Sequence, residues 1–351
     1  MLLHFGLLMN NRYPDILDMT VESLGTLLTK KGKESYRAQQ IFHWIYWRGV
    51  RDFALMSDLP ALFRKELACS FRISFPTLKR VAEDKDGTKK FLFCMEDNAC
   101  IETVFIPEKG RNTVCLSTQA GCKFRCAFCA SGKNGFIRNL RPGEIIGQVL
   151  YLLHHTKSPI HNVVFMGMGE PFDNLEATLT AMENINSSEA LSIGERKITI
   201  STAGIPDAIV RFASLNRQVR LSVSLHAAED HLRSSLMPIN TIWPLSDLLN
   251  ACAYYTDRTK RRITFEYIVL KGINDSPKDA KKLAEIAKPL SASVNLIPFS
   301  PVNGIPFLSP TNEEINSFVR HLAQQKIFST VRRSRGKNIH GACGQLAGEK
   351  K

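Results

Sequence analysis

The chain has 351 residues, of which 44% are hydrophobic and 23% are charged, so it can bury a sizeable core. No apolar run approaches the ~20 residues of a membrane span, and the first residues lack the features of a signal peptide. We therefore expect a folded, soluble protein of the cytoplasm with no membrane contact. The net charge of +13 favours a polyanionic partner, nucleic acid first, although a basic enzyme of another kind also fits.

The nine cysteines are unevenly distributed. Four of them lie between positions 115 and 129, and four others are scattered, namely Cys69, Cys94, Cys100 and Cys252. An odd and clustered set favours metal binding or thiol chemistry over a framework of disulfides.

The first 75 residues predict a small helical unit. Thr20 can cap a first helix that ends near Gly32, and further helices are predicted over residues 36–48 and from about 58 to 69. Segment 30–51 holds six Lys or Arg against one acid, so its basic face is a candidate for RNA contact. We expect its aromatic side chains to pack in the core rather than to stack on bases.

The pattern changes to short strands over residues 76–118 and, beyond Pro142, alternates between helix and strand. Repeated strand–helix units of this length indicate an α/β fold with a parallel sheet, either a full or partial barrel or an open doubly wound sheet. In each of these architectures, functional groups lie at the carboxyl ends of the strands.

The most specific signal is the segment Cys122-Lys-Phe-Arg-Cys126-Ala-Phe-Cys129. Three thiolates within eight residues suit a soft metal or an iron–sulfur cluster. A structural zinc ion needs a fourth ligand, and His154 and His155 lie in a predicted helix 25 or more residues after the last cysteine. Three cysteines instead leave one iron of a 4Fe-4S cluster open, although zinc remains the alternative.

This CxxxCxxC motif resembles the signature of the radical S-adenosylmethionine (SAM) superfamily, in which SAM fills the open iron site. A second segment, FMGMGEP from Phe165 to Pro171, follows a predicted strand, as the glycine-rich SAM-binding motif of that superfamily does. The resemblance implies one 4Fe-4S cluster and SAM as cofactors.

Longer segments are similar to the RlmN/Cfr family of radical-SAM RNA adenine methyltransferases. They extend over nearly the whole chain and include YRAQQIFHWIYWRGV, ETVFIPE, GFIRNL, MGMGEP, SLHAAED, LMPIN and HGACGQLAG. The resemblance implies a partial (β/α) barrel of the radical-SAM type. The implied domains are a helical RNA-binding unit over residues 1–75, a strand-rich connector over 76–118, the barrel over 119–335 and a mobile carboxyl-terminal tail over 336–351.

The resemblance also implies which residues bind the cofactors. Cys122, Cys126 and Cys129 bind the cluster, and the implied SAM contacts are Gly169, Glu170, Ser201, Ser224, Leu225 and His226. Family members usually carry Asn after an NLIP-aromatic segment, where it touches SAM. This chain has Ser300 there, which keeps a hydroxyl but has a shorter reach.

Two thiols and a base carry the chemistry that the resemblance implies. One SAM methylates Cys343 to S-methylcysteine, and a second SAM gives a radical that activates this methyl group for addition to adenine. Glu102 is the proposed base for the ring proton. Cys115 then attacks the sulfur of Cys343, which releases methylated RNA and leaves a disulfide. The glycines around Cys343 give the tail freedom to move.

The motifs look closer to RlmN-type enzymes than to Cfr-type enzymes. The expected reaction is methylation of carbon 2 of an adenosine in the peptidyl-transferase centre of 23S rRNA and of the adenosine after the anticodon in some tRNAs. Methylation of carbon 8 is the alternative, and a non-catalytic RNA-binding module with a structural metal is a second. The expected partners are 23S rRNA, tRNA and an electron-donating reductase.

Two basic stretches flank the proposed catalytic elements and are candidates for RNA contact. The first holds Lys123, Arg125, Lys133, Arg138 and Arg141 without an acid. The second holds Arg332, Arg333, Arg335, Lys337, Lys350 and Lys351 against Glu349.

Overall fold

A helical unit opens the fold. The computed structural model describes residues 13–156, 158–332 and 334–348, and no helix in these ranges is long and apolar enough to cross a membrane. The unit contains α1 (Val21–Lys30), α2 (Arg37–Phe42) and α3 (Ala61–Ser70). Thr20 caps α1 as expected, because its hydroxyl accepts from the Ser23 N–H while the Ser23 hydroxyl accepts from the Thr20 N–H.

The second predicted helix changes its winding halfway. Residues His43–Trp47 continue α2 as a π-helical turn. Phe42 and Tyr46 are fully buried and stack on each other, as expected of core aromatics. Tyr36 and Trp47 are 47% and 52% exposed, so the expectation of core packing is wrong for these two residues.

A large sheet forms the centre of the fold. The strands of the described residues are β1 (Thr77–Glu83), β2 (Lys89–Cys94), β3 (Cys100–Ile106), β4 (Thr113–Cys115), β5 (Gln119–Gly121), β6 (Phe136–Asn139), β7 (Asn162–Phe165), β8 (Ile198–Thr202), β9 (Arg220–Ser224), β10 (Thr264–Val269), β11 (Ser293–Pro298) and β12 (Ser329–Val331). Strands β1 to β4 form an antiparallel meander, and β4 pairs in parallel with β7. From β7 to β12 each strand pairs in parallel with the next.

Helices connect the parallel strands. They are α5 (Pro142–Thr156), α6 (Leu175–Asn186), α7 (Pro206–Ser214), α8 (Asp230–Leu236), α9 (Leu245–Thr259), α10 (Pro277–Ala287) and α11 (Asn312–Gln324), with the short α4 (Ala130–Lys133) before them. The sheet is open, with β1 and β12 at its edges, and residues at the ends of β7 to β11 line one shared cavity, so the predicted α/β fold with a partial barrel is confirmed. The strands predicted as a connector belong to the same sheet, and the division into four domains stays a prediction.

Three local elements were not predicted, namely α4, α8 and the hairpin of β5 and β6. The hairpin depends on glycine, because Gly121 has a φ of +75° and a Cβ there would lie 1.8 Å from the carbonyl oxygen of Gly135. The two strands have only three and four residues, and β6 is mostly exposed, so their pairing across a cysteine-rich loop leaves little hydrophobic pattern in the sequence.

Cys94 and Cys100 form a disulfide between β2 and β3, where they are register partners. The expectation of metal or thiol chemistry over disulfides is therefore wrong for this pair. The pairing follows from strand register, which the spacing of the two cysteines does not reveal. Cys115 and Cys343 are free thiols.

Arg233 of α8 is fully buried and holds together the carboxyl ends of β8 and β9. Its Nη2 donates to the carbonyl oxygens of Ala203 (2.7 Å) and Ser224 (3.2 Å). Its Nε donates to the carbonyl oxygen of Leu225 (3.1 Å) and its Nη1 to Oδ1 of Asn240 (2.7 Å). One guanidinium thus fixes two strand ends that border the candidate site.

Arg233→Met should lower the free energy of unfolding by about 3 kcal/mol, because four acceptors, two buried and two partly buried, lose their donor. Urea unfolding followed by circular dichroism measures the change. Arg220→Met, at an exposed position of β9, is the control and should stay within about 0.5 kcal/mol of wild type. An Arg233→Met protein with the wild-type midpoint and slope would contradict this role.

Candidate active site

One cavity at the carboxyl ends of the parallel strands gathers most of the predicted site residues. Nine of them line it, namely Cys122, Cys126, Cys129, Gly169, Glu170, Ser201, Ser224, His226 and Cys343. These residues come from the cysteine loop, three strand ends and the tail. The topology of the sheet therefore brings together groups that are far apart in the sequence.

Four other predicted residues are not part of this lining. The side chain of Leu225 is in the hydrophobic core. Ser300 lines a neighbouring cavity, where its hydroxyl is 3.2 Å from that of Ser334, because the chain turns away once β11 has ended. Cys115 and Glu102 lie close to the tail, which covers the cavity.

The cysteine loop runs from the end of β5 to the start of α4. The Cys122 N–H donates to the carbonyl oxygen of Gly135 (3.0 Å), and the Cys129 N–H donates to that of Cys126 (3.1 Å). Burial raises the pKa of Cys122 to about 12 and raises the pKa of Cys126 as well. Thiolates in this loop therefore need a bound cation to compensate their charge.

The three thiols of the loop suit an iron–sulfur cluster. Within the ranges that the structure describes, no three His, Cys, Asp or Glu side chains are gathered closely enough to hold a single metal ion. A 4Fe-4S cluster bonds each cysteine to a different iron, so its ligands are spread around a cavity. Three soft donors facing one cavity fit such a cluster and fit a closed zinc site poorly.

The glycine-rich turn after β7 packs directly against the chain that follows β4. A Cβ on Gly167 would lie 2.6 Å from the carbonyl oxygen of Leu116. Gly169 has a φ of +95°, and a Cβ there would lie 2.5 Å from the Cβ of Gln119. Glycine is required at both positions because any side chain would push the turn away from its neighbour.

Glu170 is buried at the end of this turn, with its carboxylate directed to the next strand. Its Oε1 accepts from the Phe172 N–H (3.0 Å) and its Oε2 from the Ala203 N–H (2.7 Å). Burial raises the pKa of Glu170 to about 7. A carboxyl group held this way can accept a hydrogen bond from an ammonium group in the cavity.

His226 is buried at the end of β9 and is neutral. Its Nδ1 accepts from the Ile268 N–H (3.0 Å), which leaves Nε2 as the protonated nitrogen. Burial lowers the pKa of His226 to about 3. The ring contacts Phe128 edge to face, with 4.8 Å between centroids, so it also fixes an aromatic side chain of the cysteine loop.

The carboxyl-terminal tail crosses the cavity and brings Cys343 to its lining. The Ala130 N–H donates to the carbonyl oxygen of Gly344 (2.8 Å), and the Ser131 hydroxyl donates to that of Leu346. The tail is thus attached to α4, which directly follows the cysteine loop. Because of this attachment, the Cys343 thiol shares the cavity with the three cysteines of the loop.

Cys115 lies at the end of β4, close to Cys343. Burial, and in second place negative charge on Cys343, raises the pKa of Cys115 to about 12. Arg332 and Glu266 complete this side of the cavity. Negative charge on Cys343 is the main cause that raises the pKa of Arg332, whose guanidinium also donates to the sulfur of Met166 (3.2 Å).

Arg332 and Glu266 line the cavity, although neither was predicted from the sequence as a residue of the active site. Arg332 was expected to contact RNA as one of several basic tail residues, but it lines the cavity. Glu266 is a buried carboxylate in the apolar strand β10, and Asn295 donates to it (2.8 Å). A charged residue inside an apolar strand was the available signal for Glu266.

Glu102 is 2% exposed and is held by the tail and by β2. Its Oε1 lies 2.8 Å from the Nζ of Lys90. Its Oε2 accepts from the N–H groups of Ala347 (2.8 Å) and Gly348 (3.3 Å). The predicted base is therefore in direct contact with the tail that carries Cys343.

Most of the basic residues after Cys122 have partners within the chain. Lys123 pairs with Asp173, Lys133 donates to the carbonyl oxygens of Asn303 and Gly304, Arg138 pairs with Asp97 and Glu144, and Arg141 pairs with Asp18. These pairs reduce the charge that the stretch offers to RNA. Arg333, Glu349, Lys350 and Lys351 lie outside the described residues.

Cys115 should react with iodoacetamide at least about 100-fold more slowly than Cys69 near pH 8, because burial raises its pKa and so lowers its thiolate fraction. Cys69 is exposed and serves as the internal reference. Peptide mass spectrometry after timed alkylation gives both rates. Equal rates would show that Cys115 is open to solvent.

Two family profiles match the chain. The Radical SAM superfamily matches residues 116–284, and the ribosomal RNA large subunit methyltransferase N-terminal domain matches residues 14–73. The first match contains the cysteine loop and the glycine-rich turn, and the second contains the helices α1 to α3.

Whole-chain relatives agree with these matches. The dual-specificity RNA methyltransferase RlmN of Nitratiruptor sp. is 40% identical over 348 residues, which cover 95% of this chain and 97% of the relative. That of Syntrophotalea carbinolica is 42% identical over 338 residues, covering 95% and 90%. The crystal structure of a radical SAM methyltransferase from Sphaerobacter thermophilus superposes with a TM-score of 0.90 at 42% identity, covering 96% of this chain and 100% of that one. The chain therefore belongs to the radical-SAM superfamily and, within it, to the RlmN family of dual-specificity RNA methyltransferases.

Proposed function

We propose that this chain is a radical-SAM methyltransferase that adds a methyl group to carbon 2 of an adenosine in 23S rRNA and in tRNA. The observation that carries the proposal is the shared cavity of the cysteine loop, the glycine-rich turn and Cys343. A structural metal site in an RNA-binding module does not require two further thiols, Cys115 and Cys343, close to the three cysteines of the loop. The RlmN relatives support RNA as the substrate.

The cysteine loop and the strand ends are the proposed cofactor site. Cys122, Cys126 and Cys129 hold the 4Fe-4S cluster, and the SAM side of the cavity is lined by Gly169, Glu170, Ser201, Ser224 and His226. When bound, the cluster and SAM supply the methyl group and the radical that activates it. Leu225 and Ser300 are left out of the SAM site because neither side chain reaches the cavity.

Cys343 is the proposed methyl acceptor, and Cys115 is the thiol that later displaces it. Burial raises the pKa of Cys115 and so keeps this thiol protonated, whereas the charge of Arg332 works in the opposite direction by lowering the Cys115 pKa. Attack by Cys115 on the sulfur of Cys343 forms a disulfide and frees the methylated base. The roles need two thiols that can come into contact, and the position of Cys115 beside Cys343 supports them.

Glu102 is the proposed acceptor of the adenine ring proton. The carboxylate is buried, and its hydrogen bonds to the tail fix its position relative to Cys343. A general base must lie within hydrogen-bond reach of the proton that it removes, and the hydrogen bonds between Glu102 and the tail keep the base close to the segment that carries Cys343. We also propose that an electron-donating reductase is a partner of this protein. The protein acts in the cytoplasm on the two RNA substrates.

The direct test is the methylation of RNA by the purified, cluster-loaded protein with SAM and a reductant. Fragments of 23S rRNA and tRNA transcripts are digested to nucleosides, and mass spectrometry separates 2-methyladenosine from 8-methyladenosine. We expect 2-methyladenosine in both RNAs. Finding 8-methyladenosine would establish the carbon-8 reaction instead, and the absence of both products would overturn the proposal.

Replacement of any one of Cys122, Cys126 and Cys129 by Ala should remove iron and SAM cleavage together. Two thiolates cannot hold a cluster that already leaves one iron open. Iron analysis and the yield of 5′-deoxyadenosine measure both properties, with Cys69→Ala as the exposed control. Full iron content in any of the three variants would refute the ligand assignment.

Cys115→Ala should accumulate a covalent protein–RNA species, whereas Cys343→Ala should form none. Without Cys343 there is no methyl carrier, and without Cys115 no thiolate can break the bond to the Cys343 sulfur. Denaturing electrophoresis of labelled RNA detects the species. Normal turnover by Cys115→Ala without a trapped protein–RNA species would refute the two-thiol mechanism for this chain.

A further inference from the structure

Lys90 and Glu102 form a diagonal pair on one face of the sheet. In the register of β2 and β3, Lys90 lies opposite Val104, and Glu102 is two residues from Val104 on the same face. Diagonal neighbours are within reach of a long side chain. The Nζ of Lys90 lies 2.8 Å from Oε1 of Glu102, and the two side chains are only 12% and 3% exposed.

Lys90 also binds the tail. Its Nζ donates to the carbonyl oxygen of His340 (3.2 Å), while Oε2 of Glu102 accepts from the tail N–H groups of Ala347 and Gly348. The ion pair and the tail therefore form one connected set of hydrogen bonds. Contacts lie on both sides of Cys343 in the sequence, so the pair fixes the segment that carries the methyl acceptor.

A second contact holds the tail at the turn between β1 and β2. The carboxylate of Asp84, in the turn between β1 and β2, accepts from the backbone N–H of Asn338 (3.1 Å) and from its side-chain amide (2.7 Å). This contact keeps the start of the tail in place without Lys90. A change at position 90 is therefore expected to act on the Glu102 carboxylate before it releases the whole tail.

The ammonium group has a clear physical effect on the carboxylate. A buried carboxylate without a cation is costly, and it rotates to find other donors. With Lys90 on Oε1 and two amides on Oε2, the carboxylate has one orientation. Orientation matters for a general base because proton transfer needs hydrogen-bond geometry.

We propose that Lys90 is a positioning residue, whose ammonium holds Glu102 in the orientation in which it takes the adenine ring proton. In that step the proton passes from the ring carbon to the Glu102 carboxylate, and the electron pair of the C–H bond returns to the ring. Lys90 neither gains nor loses a proton. The inference rests on the proposed function, in which Glu102 is the base.

The test compares Lys90→Met with Lys89→Met in the full-length, cluster-loaded protein. Lys89 is the matched control, because it precedes Lys90 on β2, faces the other side of the sheet and pairs with Glu83 (3.2 Å). In Lys90→Met we expect normal S-methylation of Cys343, accumulation of the covalent protein–RNA species and at least about a 10-fold loss of methyladenosine formation. Lys89→Met should match wild type in all three measurements.

Conservative variants separate positioning from a loss of folding. Lys90→Arg should recover most of the methyladenosine formation, since it returns a cation to the same pair. Thermal unfolding of each variant is recorded, and if Lys90→Met does not fold, Lys90→Gln takes its place in the comparison.

Two results would overturn the inference. One is turnover by Lys90→Met at the rate of Lys89→Met. The other is the loss of both Cys343 methylation and turnover in Lys90→Met, since that pattern indicates a structural role. Wild-type protein that forms no methyladenosine would instead refute the proposed function, whatever the Lys90 variants show.

Discussion

The path of the carboxyl-terminal tail is the constraint on which the site depends. Cys115 and Cys343 are separated by 228 positions in the sequence, and they meet only because the tail is attached to α4 and to β2 and β3. Ordering such a segment costs conformational entropy for each residue. The hydrogen bonds that the tail forms with Ser131, Lys90 and Glu102 offset this cost, and two of those three side chains belong to β2 and β3.

The other side of the cavity depends on close packing of the backbone. Gly167 and Gly169 let the turn after β7 lie directly against the segment that follows β4. Arg233 fixes the ends of β8 and β9 next to it, so Ser224 and the neighbouring backbone have defined positions. The sheet thus forms one half of the site, and the tail forms the half that contributes the Cys343 thiol.

The sequence predicted the parts of this arrangement that depend on short spacings. Helix α10 was predicted with its observed bounds, because an amphipathic pattern after a capping serine is a local feature. The cysteine loop was found for the same reason. Strand register determines two other features, namely the contact of Lys90 with Glu102 and the disulfide of Cys94 with Cys100. No local sequence pattern predicts this register. The position of Arg332 in the cavity was hidden because a basic residue in a basic tail resembles its neighbours.

The tail presents Cys343 to the proposed cofactor site, where this thiol is the proposed methyl acceptor. The most direct measurement uses cluster-loaded protein and SAM with an isotopically labelled methyl group, followed by proteolysis and mass spectrometry. We expect the label on Cys343 before any RNA is added, and its transfer to adenosine when RNA is present. Labelled adenosine formed while the Cys343 peptide stays unmodified would contradict it.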